Sequence, residues 1–453
     1  MIIKNGKIAL RDCDEFASLD IEINQGKIVS IGENLHGSEI LNADGMQIFP
    51  GAIDPHVHFD EPGFTDREDF YHGSCAAVSG GVTTIIDMPG TSIPPVTNLK
   101  NLRAKLDTVK NRAIVDFGFF GGVSGQVMET EYQKNMAELA AYVMGFKTYF
   151  ISGMDSFRSL SLDQIMKVLS EAKKLQRPVL LHAEDPSIVN ELTETQKALG
   201  KDWTNFYRSR PEEAEVFAVI KAIAAVRATG AQLHIVHVGS GEAAKLLSGT
   251  PNISGETAPH YLAFNNKDLE RLGGALKTTP VVKSEGNSEI LWECLAKGVL
   301  DFAASDHAPA PASQKNTGSA WDDYSGIPGT GTLFPYLYSE GLIKRKIPLS
   351  RFLEIISENA AKRYGFWNKK GSIDVGKDAD LIFVDPNENW QVKGKNFFSK
   401  GKITPFENMI FQGKIEKTMI RGKVIFDSNA GIKAKPGYGQ FIKPHSSTNI
   451  VNH

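Results

Sequence analysis

The sequence predicts an α/β barrel of parallel strands that carries a small β-domain made from both ends of the chain. Three observations lead there. Strand-like and helix-like patterns alternate through residues 51–370, which calls for a parallel sheet, and so many units fit a closed ring better than an open one. The two ends read instead as short strands broken by glycine-containing turns. Finally, histidines and an aspartate recur at or near the ends of apolar strands, the rim from which barrels do chemistry.

Residues 1–50 give short strands at 1–3, 7–10, 19–23 and 27–31, a meander pattern. Residues 51–58 then form an apolar approach to His56 and His58. Further strands are read at 83–88, 115–120, 145–150, 179–182, 233–238 and 300–306. Between them, Ser161 and Gln164 have the spacing of a capping box, and Leu162, Ile165, Leu169 and Ala172 follow at helical intervals until Arg177-Pro178 stops them. Pro211 opens a second amphipathic helix through Val216, Ile220 and Ile223, which Gly230 closes. Strands return at 379–385 and 417–425. Residues 1–50 and 371–453 are therefore expected to share one β-domain beside the barrel of 51–370, with the last dozen residues or so forming a tail or packing arm.

Composition narrows the partners. The chain has 453 residues, 41% hydrophobic and 23% charged, as ordinary globular proteins do. A formal charge of -3 gives no long-range attraction to nucleic acid or to an anionic membrane, so a small molecule is the expected partner. Cys13, Cys75 and Cys294 are scattered and odd in number, which argues for a reducing compartment and against a disulfide framework or a cysteine metal site. Neither an apolar leader nor a membrane-length apolar run occurs, so a cytoplasmic protein is expected.

His56 and His58 stand two apart on a strand, so both point to one face and can share a metal ion. His182, His237 and Asp306 stand at or near strand ends, and Lys147 lies in the strand at 145–150. Singly, each has an ordinary structural account: a hydrogen-bonded core histidine, an aspartate capping the next helix, a lysine reaching for water. Gathered at one mouth, they are costly to bury without a metal, and a metal site is the better reading.

These residues resemble the binuclear amidohydrolases, and the resemblance is closer to the cyclic amidohydrolases, meaning allantoinase, dihydroorotase and hydantoinase. Glu61-Pro62-Gly63, Gly80-Gly81-Val82-Thr83-Thr84, Asp87-Met88-Pro89, Thr257-Ala258-Pro259-His260-Tyr261-Leu262 and Gly376-Lys377-Asp378-Ala379-Asp380-Leu381 carry it, in family order over nearly the whole chain. It implies a distorted TIM (β/α)8 barrel with a composite β-sandwich, and metal-dependent hydrolysis of a cyclic amide. It also implies two divalent metal ions, with Zn2+ the expected choice. His56 and His58 would hold one, His182 and His237 the other, and Asp306 would join the first. Lys147 would bridge them as N6-carboxylysine. Asp306 is the implied catalytic proton carrier, first base and then acid. His260 is the implied ring contact, with Arg210 and Glu184 as further candidates. A homodimer or homotetramer is expected from relatives of this kind. A different class also resembles this pattern: dihydropyrimidinase-like structural proteins that have lost metal ligands. Here all six ligand positions are filled, which favours the hydrolase.

Substrate choice rests on fewer residues. Dihydroorotases usually place an arginine two positions after the second metal histidine, where this chain has Asp60. The stretch from Asp87 through Gly90 to Thr97 lacks their Pro-Asn-Thr-Asn form and is similar to the allantoinase version. Hydantoinases usually place a tyrosine five positions after the bridging lysine, where this chain has Ser152. Asp60, Gly90 and His260 are thus expected substrate-binding residues, and a neutral cyclic ureide such as allantoin the expected substrate. Dihydroorotase and hydantoinase or dihydropyrimidinase are the alternatives, since Arg67, Arg158 or Arg210 would restore a carboxylate site from another loop.

Overall fold

The structure is a computed structural model that describes residues 1–445. Eight parallel strands form the barrel: β1 (Ala52–Val57), β2 (Val82–Asp87), β3 (Asp116–Phe119), β4 (Phe146–Tyr149), β5 (Val179–His182), β6 (Leu233–Ile235), β7 (Ile253–Thr257) and β8 (Phe302–Ala303). The ladder runs in chain order: β1 to β3 form one sheet, and Gly121-Gly122, just past β3, begins the second sheet through β4 to β8. The last and first strands meet through a single parallel bridge, Val57 to His307. The sequence reading missed β7, whose Ser254, Gly255 and Glu256 interrupt the apolar run that marks its neighbours. Strand alternation separates two cores. Val179 and Leu181 face the outer layer of helices, whereas Leu180 joins Ile53, Ile86, Phe120, Val236, Phe302 and Tyr364 in a distinct cluster that fills the ring.

The predicted helices form. Ser161 N donates to Gln164 Oε1 at 3.0 Å and starts the helix Leu162–Lys174. The next runs Glu212–Thr229 and ends on Gly230 at φ 63°, a left-handed cap suited to glycine. Its inward face differs from expectation. Alanines 214, 218, 222 and 225 are buried, while Phe217 and Ile220 are 49% and 45% exposed. Small side chains let this helix lie close to Leu162–Lys174, and the bulky ones are left outside.

Both chain ends share a six-stranded sheet, in which Gln47–Pro50 pairs antiparallel with Leu381–Gln391, Phe383 opposite Ile48. The reading of 417–425 as one strand is corrected. Arg421 and Gly422 take φ 47° and 72°, a turn that divides Ile410–Ile420 from Lys423–Asp427. A second, four-stranded sheet comes from residues 2–42, and Ile3, Ile21, Ile28, Leu381, Phe383 and Met419 pack in the core the two sheets share. The expected tail lies, beyond His445, outside the described residues. Among those described, no helix is long and apolar enough to cross a membrane.

At the barrel floor, residues 440–442 hydrogen-bond along β3: Phe117 N donates to Gln440 O at 3.0 Å and Ile442 N to Phe117 O at 2.8 Å. A buried charge cluster lies alongside. Lys370 Nζ stands 2.7 Å from Asp116, 3.1 Å from Asp378 and 2.6 Å from Asp380, and Arg421 pairs with Asp116 as well. Burial works to raise the Asp116 carboxyl, but Lys370 and Arg421 outweigh it and hold it below its ordinary value.

Candidate metal centre

At the opposite end, β1 delivers His56 and His58 to one face, their ring centroids 5.4 Å apart. Asp306 arrives just past β8. Its Oδ1 lies 3.2 Å from His56 Nε2 and 3.3 Å from His58 Nε2, and the three side chains offer ligand atoms all within 4.8 Å of one another. Local bonding fixes this meeting. Ser305 donates to the Asp54 carboxylate through its backbone N at 3.0 Å and its Oγ at 2.5 Å, and His58 N donates to His307 O at 2.7 Å. Asp306 itself takes φ 49°, a left-handed backbone that costs an aspartate on the order of 1–3 kcal/mol.

The second half of the cluster faces the first. His182 ends β5 and His237 follows β6 at φ 39°, with His182 Nδ1 and His237 Nε2 3.1 Å apart. His237 also lies 5.3 Å from His56 between ring centroids, so the two halves adjoin. Lys147, on β4, is 1% exposed, and its Nζ has no hydrogen-bond partner. Burial lowers this amine to about 7, against the upward pull of Asp306 and Glu256. His237 Nδ1 is equally unpartnered. Buried imidazole and amine nitrogens left open on converging side chains, beside the Asp306 carboxylate, are what a pair of divalent cations would complete.

Two supporting carboxylates escaped the sequence reading or entered it only weakly. Glu256, on the missed β7, accepts from His56 Nδ1 through one oxygen and lies 3.2 Å from His234 Nε2 through the other. Burial pushes its carboxyl up, but His56 and His234 outweigh that and bring it to about 2. A glutamate behind each half is the arrangement that orients a ligating imidazole and raises its basicity. Glu184 does this for His182, at 2.9 Å from Nε2, while Arg210 Nη1 donates to the same oxygen at 2.5 Å.

A cavity of about 650 Å³ opens over the cluster. His56, His58, Lys147, His182, His237 and Asp306 all line it, as do Arg210, Ser152 and Tyr324. The three expected substrate residues do not. Asp60 is fully buried and turns to Arg67, whose Nε lies 3.1 Å away; burial raises its carboxyl to about 8 despite that guanidinium. Gly90 sits one layer back, where a Cβ would lie 3.0 Å from Met154 Cε, and it is Met154 that reaches the cavity. His260 is also buried, with neither ring nitrogen hydrogen-bonded, and burial lowers it to about 4. Arg158 is half exposed and pairs with Glu129.

Fold and cluster together define a barrel protein with a candidate binuclear metal centre at the C-terminal mouth of its strands. Comparison with known proteins is more specific: the pattern of the Amidohydrolase family matches residues 47–425, and the chain belongs to that family. It is 34% identical to an allantoinase of Rubrobacter xylanophilus over 98% of this chain and 97% of the relative. An allantoinase of Salmonella newport is 32% identical over 98% and 99%. Among solved structures, the L-hydantoinase (dihydropyrimidinase) of Arthrobacter aurescens superposes with a TM-score of 0.92 at 29% identity, covering 98% of this chain and 99% of that one. The dihydropyrimidinase of Brevibacillus agri gives 0.90 at 29% identity, covering 99% of each.

Proposed function

We propose that this protein is a metal-dependent hydrolase of cyclic amides, and that its substrate is a neutral cyclic ureide of the allantoin type. The observation that carries the reading is the mouth itself: imidazole and amine nitrogens without hydrogen-bond partners beside the Asp306 carboxylate, beneath a cavity of about 650 Å³, in a chain whose full-length relatives include allantoinases. His56, His58 and Asp306 would hold one ion, His182 and His237 the other. Lys147 would bridge them as N6-carboxylysine, a reading supported by its burial and its open Nζ. Bound there, two divalent ions, with zinc expected, activate water near neutral pH and polarise the amide carbonyl.

The chain's own groups do the rest. Asp306 takes a proton from the attacking water and returns it to the departing ring nitrogen, a base that becomes an acid. Glu256 and Glu184 keep His56 and His182 turned toward the cavity. His260 lies behind the cavity lining and is retained as a ring contact only in that both its nitrogens lack hydrogen-bond partners and would have to reach in. A neutral ring is favoured because the Arg210 guanidinium in the cavity lining is already paired with Glu184. The Asp60 carboxyl carries no weight in this choice, since it lies outside the cavity lining beside Arg67. The outward Phe217 and Ile220 support the expectation of a homodimer or homotetramer.

A second reading, a hydantoin or dihydropyrimidine ring, is favoured by the likeness to hydantoinase structures. Hydrolysis of allantoin, dihydroorotate, dihydrouracil and hydantoin by the metal-loaded enzyme decides between them. Allantoin should give the highest kcat/KM; efficient dihydroorotate cleavage without allantoin turnover rejects the assignment.

A further inference from the structure

One wall of the cavity is the stretch 321–326, all six residues of which line it. None lies in a helix or strand; Tyr324 N and Gly326 N donate to Gln314 O at 2.7 Å and Lys277 O at 2.8 Å, and the loop's carbonyls need partners of their own. Two lysines that the reaction does not use provide them. Lys277 Nζ donates to Trp321 O at 3.1 Å and to Asp323 O; Lys315 Nζ donates to Tyr324 O at 2.8 Å and to Gly326 O at 2.6 Å. Both side chains are almost fully buried, 3% and 1% exposed.

Burying two lysines side by side is expensive, and a wall that needed only filling would be served by leucine or methionine. What lysine adds is a long stem ending in several N–H donors. Four carbonyls spaced along six residues use that reach. Burial lowers Lys277 to about 8, with Arg210 pushing the same way and Asp323 and Asp322 opposing. Burial lowers Lys315 to about 7, with Lys277 adding to the fall and Asp323 opposing it. Each nitrogen holds the loop through directed N–H groups, which ammonium and neutral amine both supply. The surroundings are tight: at Gly274 a Cβ would stand 2.0 Å from Lys315 O, and the Asp323 carboxylate accepts from Thr317 N and Oγ1, both at 2.7 Å.

We infer that Lys277 and Lys315 are positioning residues for substrate selection, their side-chain nitrogens tying residues 321–326 into the one shape that sets the width of the cavity. The inference rests on the reading that the ring binds in this cavity. Its test uses the metal-loaded enzyme with Lys277→Met and Lys315→Met, each assayed for metal content, for kcat and KM on allantoin and dihydrouracil, and for amide hydrogen exchange. Metal content should hold. KM for allantoin should rise about tenfold, with kcat falling less, and the kcat/KM ratio of the two rings should move. Exchange should quicken within 321–326 and not in β1 to β8. Thr317→Val, which loosens the same loop from its exposed side, should give a smaller shift in the same direction, and it serves if the methionine variants do not fold. An unchanged ring preference, or exchange that quickens evenly across the chain, overturns the inference. If the wild-type enzyme cleaves neither ring, the functional reading fails with the selection claim, while the exchange pattern alone still decides whether the lysines tie the loop.

Discussion

The two ends of the barrel both bury charge, and they do so in opposite ways. At the floor, Lys370 and Arg421 meet Asp116, Asp378 and Asp380 within hydrogen-bonding distance, so each charge is answered inside the protein. At the mouth, Lys147 Nζ and His237 Nδ1 have no hydrogen-bond partner among the described residues, although they are just as deeply buried. A closed network fixes a fold; an open one is a demand for something from outside. The backbone tells the same story, for Asp306 and His237 are held in left-handed conformations.

That contrast is broken most directly at Lys147. Lys147→Ala should lose bound metal and take turnover below about a hundredth of wild type, with little change in the urea midpoint. Two metals per subunit and normal turnover in this variant would reject the bridging role. The floor should answer in reverse. Lys370→Met leaves buried carboxylates uncompensated and should cost about 3–5 kcal/mol in urea unfolding, while the folded fraction keeps its metal and its KM. Loss of metal there, at wild-type stability, would erase the distinction between the two ends.

A finer test falls on Glu256, which belongs to the mouth but is satisfied as the floor is. Glu256→Gln should weaken metal affinity by about 10–100-fold, read by chelator competition, and leave the fold stable. The smallest effect concerns pH. Lys315 is held at about 7 in the fold against 10.5 as its ordinary value, so between those values the unfolded chain binds the extra proton and stability rises with pH. The gap in unfolding midpoint between wild type and Lys315→Met should accordingly shift in favour of wild type from pH 7 to pH 9. A constant gap would mean that Lys315 titrates alike in both states.

How much of this was legible in the sequence follows from what local pattern can carry. His56, His58, His182 and Asp306 end or closely follow apolar strands, and periodicity alone puts them at one rim. Glu256 was missed because its own strand is too polar to read as one, and its role depends on His56, 200 positions away. Ile220 was placed inward by spacing, yet the alanines around it make the closer packing face. Asp60 and Gly90 follow strand ends, where no periodicity fixes direction; Asp60 turns to Arg67, and Gly90 lies behind Met154. The floor cluster joins Asp116 to Arg421 across 305 positions, and nothing in either neighbourhood announces the other.

The segment at 440–442 has a consequence for how the protein is made. It occupies the edge of β3 below the point where β4 joins, so the barrel wall contains a piece that the ribosome delivers only after all eight strands. Gln440 N, which donates to Asp116 at 2.9 Å, meets a partner translated 324 residues earlier. Until that segment emerges, the nascent chain carries a slit in its wall, with Phe117 and Phe119 beside an unpaired strand edge, a surface that invites association with other chains. A C-terminal truncation ending at residue 439 would make that transient state permanent, even though it removes no group from the mouth.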